Sequence, residues 1–141
     1  MADFDKVGLL AVRNGRILLC RKKRGTSLLI LPGGKREPGE SSLECLAREL
    51  REELGDGVRV ESPERLGCYS SRAAGSESRT VEIELFRGAL VGEPAASSEI
   101  GELMWFGEGD DWRLLAPSLE HVILPDLVAR GLLPWGGGRR Q

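Results

Sequence analysis

Glu49, Glu52 and Glu53 crowd one stretch of the segment LPGGKREPGESSLECLARELREELG, residues 31–55. Placed on a helix at 100° per residue, the three carboxylates span roughly 100° of the wheel and share a face. Like charges this close repel unless a cation sits among them or one stays protonated. Oxygen donors at this density suit Mg²⁺, with Mn²⁺ as an alternative. Gly33 and Gly34 stand just upstream, where the lack of a side chain lets backbone carbonyls and N–H groups approach the same ion or a phosphate. Carboxylates, a divalent ion and a close-approach backbone together point to metal-assisted hydrolysis of a phosphate ester or anhydride. The ion would neutralise phosphoryl charge and acidify an attacking water, and a spare glutamate would take its proton.

Several elements must position these groups. Ser41 and Glu44 form a capping-box pattern and Gly55 supplies a left-handed stop, which predicts a helix between them. Leu43, Leu46, Ala47, Leu50 and Leu54 fall in one stripe about 100° wide, the width of a core-facing surface. Upstream, KVGLLAVRNGRILLCRKK reads as strands near 7–13 and 16–23 joined by an Asn14-Gly15 hairpin turn. Downstream, VRVESPERLGCYSS and SRTVEIELFRGALVG read as strands, the second alternating around Val81, Ile83 and Leu85, with a polar loop over 70–79. A short strand is expected at 102–106 and a terminal helix from Pro117 to Leu133, kinked by Pro125. Strands and helices in this mixed order predict a mixed sheet with helices on its faces. One domain over residues 1–135 and a frayed tail over 136–141 are expected.

Composition narrows the function classes. The chain has 141 residues, 30% charged and 40% hydrophobic, with a net charge of −2. That balance argues against a general nucleic-acid coat, so phosphate handling must be local. Cys20, Cys45 and Cys68 are odd in number and widely spaced, which suits neither a disulfide framework nor a structural zinc site and fits a reducing cytoplasm. Cys20 and Cys68 lie in apolar strands and read as small core residues. No apolar run approaches the roughly 18 residues of a membrane span. His121 is the only histidine, which excludes histidine triads and histidine metal clusters. Trp105, Trp112 and Trp135 read as core-closing residues.

Gly34, five residues, Glu40, seven residues and then Arg48-Glu49-Leu50-Arg51-Glu52-Glu53-Leu54-Gly55 resembles the Nudix box, GX5EX7REUXEEXGU, in which U is a bulky aliphatic residue. Seven fully specified residues would coincide at a given start with a probability on the order of 10⁻⁸ at ordinary residue frequencies. The departure is Asp56 at the last aliphatic position, where Val58 can restore the packing two residues later. The resemblance implies the Nudix fold, a mixed sheet sandwiched between helices in the α+β class. It also implies cleavage of a pyrophosphate linkage in a nucleoside diphosphate joined to another group. Matching positions imply Glu49, Glu52 and Glu53 as metal ligands or base, Gly33 as a carbonyl ligand, Arg48 as their orienting partner and Glu40 as the outlying acid. A late glutamate from a loop is expected at Glu99, with Glu102 second. Lys35 and Gly34, with Arg21 and Lys23 of the basic RKKRG run, are the expected substrate contacts. Length and LPGGK resemble the compact MutT-like nucleoside triphosphate pyrophosphatases. An ADP-ribose or sugar-nucleotide pyrophosphatase and a non-catalytic nucleotide binder are the alternatives. The expected partner is a small nucleotide, without nucleic-acid polymer or membrane, and a homodimer is compatible with the reading.

Overall fold

The computed structural model describes residues 4–72 and 80–136. Asn14 and Gly15 take φ angles of 51° and 77°, the paired left-handed values of a two-residue hairpin. They join β2 (Val12–Arg13) to β3 (Arg16–Lys22). The expected first strand is divided at Ala11, because β1 (Phe4–Leu10) belongs to a different sheet from β2. The chain continues through β4 (Gly33–Lys35), α1 (Ser42–Leu54), β5 (Arg59–Arg72), β6 (Thr80–Val91) and β7 (Ile100–Phe106). Strand β5 runs to Arg72, so 70–72 are extended rather than part of the expected polar loop. The rest of that loop, 73–79, lies outside the described residues, as do 137–141 of the expected tail.

One sheet has the order β4-β1-β6-β5 and the other β2-β3-β7. Only the β1–β6 pairing is parallel among the named strand pairs, which makes the larger sheet mixed. Alternation along the strands sends side chains into two apolar layers. Val7, Leu9, Leu18 and Cys20 pack with Leu46, Leu50 and Leu54 of α1. Leu10, Ile17 and Leu19 pack on the opposite side with Leu119, Ile123 and Leu127 of the C-terminal segment. Burial of a leucine side chain of this kind is worth about 1.5–3 kcal/mol, and both layers depend on the same central strands.

The capping box of α1 is formed in both directions: Ser41 Oγ accepts from the Glu44 N–H at 3.1 Å, and Glu44 Oε1 accepts from the Ser41 N–H at 2.9 Å. Gly55 closes the helix with φ 94°. The buried face, however, is Cys45, Leu46, Leu50, Glu53 and Leu54. Leu43 is 48% exposed and Ala47 also faces outward, so the helix is rotated from the expected stripe. That rotation takes Glu53, which the helical wheel puts nearest the core edge of the three acids, into the buried face.

The expected terminal helix is shorter and compound. A π-helical turn over Ser118–Ile123 passes into α2 (Leu124–Ala129). Pro125 has no N–H to give the preceding turn, and just before it the Leu124 N–H bonds to Leu119 O, five residues back. The expected kink thus takes the form of a π-to-α switch. Beyond α2, Trp135 packs edge-on to Trp112 at 5.7 Å between ring centroids, closing the second apolar layer with Phe106. Trp105 is half-buried beneath the Arg13 guanidinium. Cys20 is buried as expected, but Cys68 is exposed, because β5 lies at the sheet edge and shows one face to solvent. Among the described residues no helix is long and apolar enough to cross a membrane.

Candidate active site

Gly33 and Gly34 enter β4 directly beneath α1. The Gly33 N–H donates to Glu53 Oε1 at 2.9 Å, which fixes the rotated helix against the strand. Gly33 has φ 140°, and a Cβ there would overlap the Val7 carbonyl; a Cβ on Gly34 would overlap the Glu49 carboxylate. Gly33 therefore excludes a side chain against fixed backbone, whereas a side chain at Gly34 would have to push aside the Glu49 carboxylate, a candidate functional group.

A cavity of about 500 Å³ opens at this junction, within the size range of small-molecule sites. Glu49, Glu52, Glu53 and Glu99 line it, together with Gly33 and Gly34. Glu99 reaches it on a loop docked to the end of α1, where the Ala95 N–H donates to Leu54 O at 3.0 Å and the Ser97 N–H to Glu53 O at 3.1 Å. Glu102 is instead turned to Arg21, with which it is ion-paired. Lys35 lines the cavity, whereas Arg21 and Lys23 do not. Arg21 is also held by Ser27 O at 2.7 Å. Lys22 and Lys6 are at the cavity in their stead. Lys22 shares the α1-facing phase of β3 with Leu18 and Cys20, while Arg21 takes the other phase. The opposite wall is apolar, built from Leu31, Val81, Ile83, Ala116 and Leu119, with Ser118 among them. Ser118 and Glu53 are the buried polar residues among those described, and both line this cavity. The basic run pointed to β3, and of its lysines the structure brings Lys22 rather than Lys23 to the cavity; Lys6 and Ser118 had no local signal.

The electrostatics of the acids differ. Burial pushes the Glu53 carboxyl up to about 7, against the opposing pull of the Gly33 N–H. Burial also raises Glu49, opposed by its hydrogen bond from Arg48. Arg48 holds Glu40 down to about 2. Its guanidinium donates to Glu49 Oε2 at 2.7 Å and to the Lys35 carbonyl at 3.0 Å, and so ties the helix to β4. Burial lowers Lys6, and the charge of Lys22 adds to that effect.

The donor set fits a hard divalent cation. Its donors are the carboxylate oxygens that line the cavity, and the neighbouring thiol of Cys45 is pushed up to about 11 by burial, which keeps it from competing as a thiolate. Glu53 is a buried acid whose ionised form needs a nearby positive charge. Among the described residues no three acids are already gathered about one point, since Glu49 leans to Arg48 and Glu53 to Gly33.

A family model described as NUDIX domain matches residues 4–118. The uncharacterized Nudix hydrolase YvcI of Bacillus subtilis (strain 168) is 30% identical over 122 residues, 84% of this chain and 75% of that protein. A putative 8-oxo-dGTP diphosphatase of the same organism is 28% identical over 117 residues, 82% of this chain and 74% of its own length. Among solved structures, the E. coli ORF135 protein superposes with a TM-score of 0.71 at 25% identity, covering 94% of each chain.

Proposed function

We propose that this chain, which belongs to the Nudix family, is a Mg²⁺-dependent pyrophosphohydrolase that converts a nucleoside triphosphate, plain or base-modified, to the monophosphate and pyrophosphate. The observation that carries the reading is the buried Glu53 carboxylate, fastened to Gly33 in a cavity that holds acids at one end and lysines beside them. Similarity to a putative 8-oxo-dGTP diphosphatase is in keeping with a triphosphate substrate, and similarity to an ADP-ribose pyrophosphatase keeps the sugar-nucleotide alternative in the test.

Glu49, Glu52, Glu53 and Glu99, with the Gly33 carbonyl, would hold the divalent ion. When bound, the ion supplies charge neutralisation at the phosphoryl oxygens and acidifies water. Arg48 does not need to touch substrate; it positions Glu49 and braces β4 against α1. Lys35 and Lys22 orient the phosphate chain, and Gly34 leaves the space in which Glu49 sits. The oxygen of water attacks phosphorus as the bridging P–O bond breaks. One of the glutamates takes the water proton, and pyrophosphate departs with the bridging oxygen. The apolar wall around Leu119 accommodates the base by burial. Arg21 and Lys23 remain outside this scheme.

Product release from a nucleotide panel, with and without Mg²⁺, comparing the parent with Glu53→Gln, tests the proposal. Turnover of a triphosphate that needs Mg²⁺ and falls at least about 100-fold in Glu53→Gln supports it. Binding without turnover of any panel member would identify a nucleotide binder instead. Preferential turnover of ADP-ribose or a sugar nucleotide would keep the chemistry and change the substrate.

A further inference from the structure

Lysines enter the cavity from three different strands: Lys6 from β1, Lys22 from β3 and Lys35 from β4. Lys6 and Lys35 are direct partners in the antiparallel β1–β4 register. Like charges opposed in this way destabilise a sheet, and the charge of Lys22 also acts on Lys6. Glu49 and Glu53 offset part of that repulsion. Those are the carboxylates that the proposed reaction commits to a cation, and a phosphate chain entering the same cavity would bring negative charge beside the three ammonium groups.

Lys6 differs from the other two in its setting. It stands outside the glycine turn and outside the basic run, half-buried on the sheet face that it shares with Gly8 and with its β6 partner Ile83. A lysine is a compact point charge that pairs with phosphate oxygens without demanding a planar partner. Three of them around one cavity match a chain of phosphates better than a single bridging pair. A nucleoside triphosphate has a free terminal phosphoryl group that supplies the additional charge. A nucleotide sugar has an uncharged sugar at the same place.

We propose that Lys6 is a specificity-determining residue which, with Lys22 and Lys35, holds the terminal phosphate of a nucleoside triphosphate and so selects against substrates whose second phosphate is esterified. The inference rests on anhydride hydrolysis at this cavity. Its test is the parent beside Lys6→Met, which keeps the length of the side chain without its charge, and Lys6→Arg, which restores charge.

With Mg²⁺ present, the measurements are KM and kcat for a nucleoside triphosphate, the inhibition constant of ADP-ribose as competitor, and calorimetric binding of inorganic tripolyphosphate. Lys6→Met should raise the triphosphate KM and weaken tripolyphosphate binding by about tenfold, the worth of one charge-assisted contact, while ADP-ribose inhibition changes less than about twofold. Lys6→Arg should recover most of the loss. Equal weakening of ADP-ribose and triphosphate would overturn the proposal, since Lys6 would then only balance the acids. Unchanged tripolyphosphate binding would also overturn it, even with hydrolysis intact. A parent that binds tripolyphosphate through Lys6 yet cleaves nothing would refute the proposed reaction and leave this assignment standing.

Discussion

Arg48 and Glu40 form a two-point ion pair, Nε to Oε2 at 2.6 Å and Nη2 to Oε1 at 3.0 Å. The same guanidinium reaches Glu49 and the Lys35 carbonyl. One planar group therefore sets the positions of the turn before α1, the strand beneath it and a carboxylate of the cavity. Lysine cannot reproduce that fork. Arg48→Lys should lower kcat about 10- to 100-fold, the usual cost of losing a group that orients a metal-binding side chain. Because the pairs are partly solvated, the melting temperature should fall by only a few degrees. Steady-state kinetics and a thermal melt on the same preparation check this, and a KM-only effect would contradict it.

The two glycines of β4 should fail in different ways. Gly34→Ala places a methyl group against the Glu49 carboxylate, so it should displace Glu49 and depress activity by about 100-fold or more, with folding largely preserved. Gly33→Ala meets the Val7 backbone at φ 140°, where neither strand can yield. It should destabilise the fold by more than about 2 kcal/mol. Denaturant melts of both variants would refute this if Gly34→Ala proved the less stable of the two.

Glu53 predicts a pH dependence of the metal-free protein. Its carboxyl is raised from an ordinary 4.5 to about 7, so the folded state binds this proton more tightly than the unfolded chain does. The associated stability is fully present below about pH 4.5 and is lost as the pH rises to about 7. At about 1.4 kcal/mol per unit, the full loss is on the order of 3 kcal/mol. Glu53→Gln should remove that slope and leave the metal-free variant more stable than the parent at pH 8. Mg²⁺ should stabilise the parent much more than the variant. Chemical denaturation from pH 4.5 to 8 in a chelator measures the first effect, and added Mg²⁺ the second.

Ser41 lies away from the cavity but starts the helix that carries its acids. Ser41→Ala removes the acceptor for the Glu44 N–H and should cost about 1 kcal/mol. Helix α1 has its first turn on the side of Glu40 and Arg48, so a small loss of activity should accompany the loss of stability. Ser41→Asp, which can accept the same bond, should restore both.

The acids, their cap and the glycine turn were legible because each depends on residues close in the chain: Ser41 with Glu44, and Gly34 with Glu49 across one strand–helix step. Leu43 and Ala47 misled because a helical wheel fixes the width of an apolar stripe but not which edge meets the sheet. Glu53 occupies that edge, held by a hydrogen bond to Gly33 that periodicity does not express. The cavity-facing lysine of RKKRG follows from alternation once Leu18 and Cys20 are known to lie under α1. Lys6 and Ser118 reach the site through sheet pairing and through the π-helical turn, and both are long-range consequences of tertiary packing. Cys68 could not be distinguished from Cys20 without knowing that β5 is an outer strand.

The π-helical turn ahead of Pro125 has a further consequence. An extra residue in one turn sets the phase with which the C-terminal segment lays Ser118 and Leu119 over the cleft, while every acid comes from residues 49–53 and 99. The acids and the apolar wall of the cavity thus come from different segments of the chain. An insertion or deletion of one residue near Pro125 is therefore expected to move the apolar wall at Ser118 and Leu119 more than the acids of α1 and Glu99, and so to change substrate preference in the proposed reaction more than its chemistry.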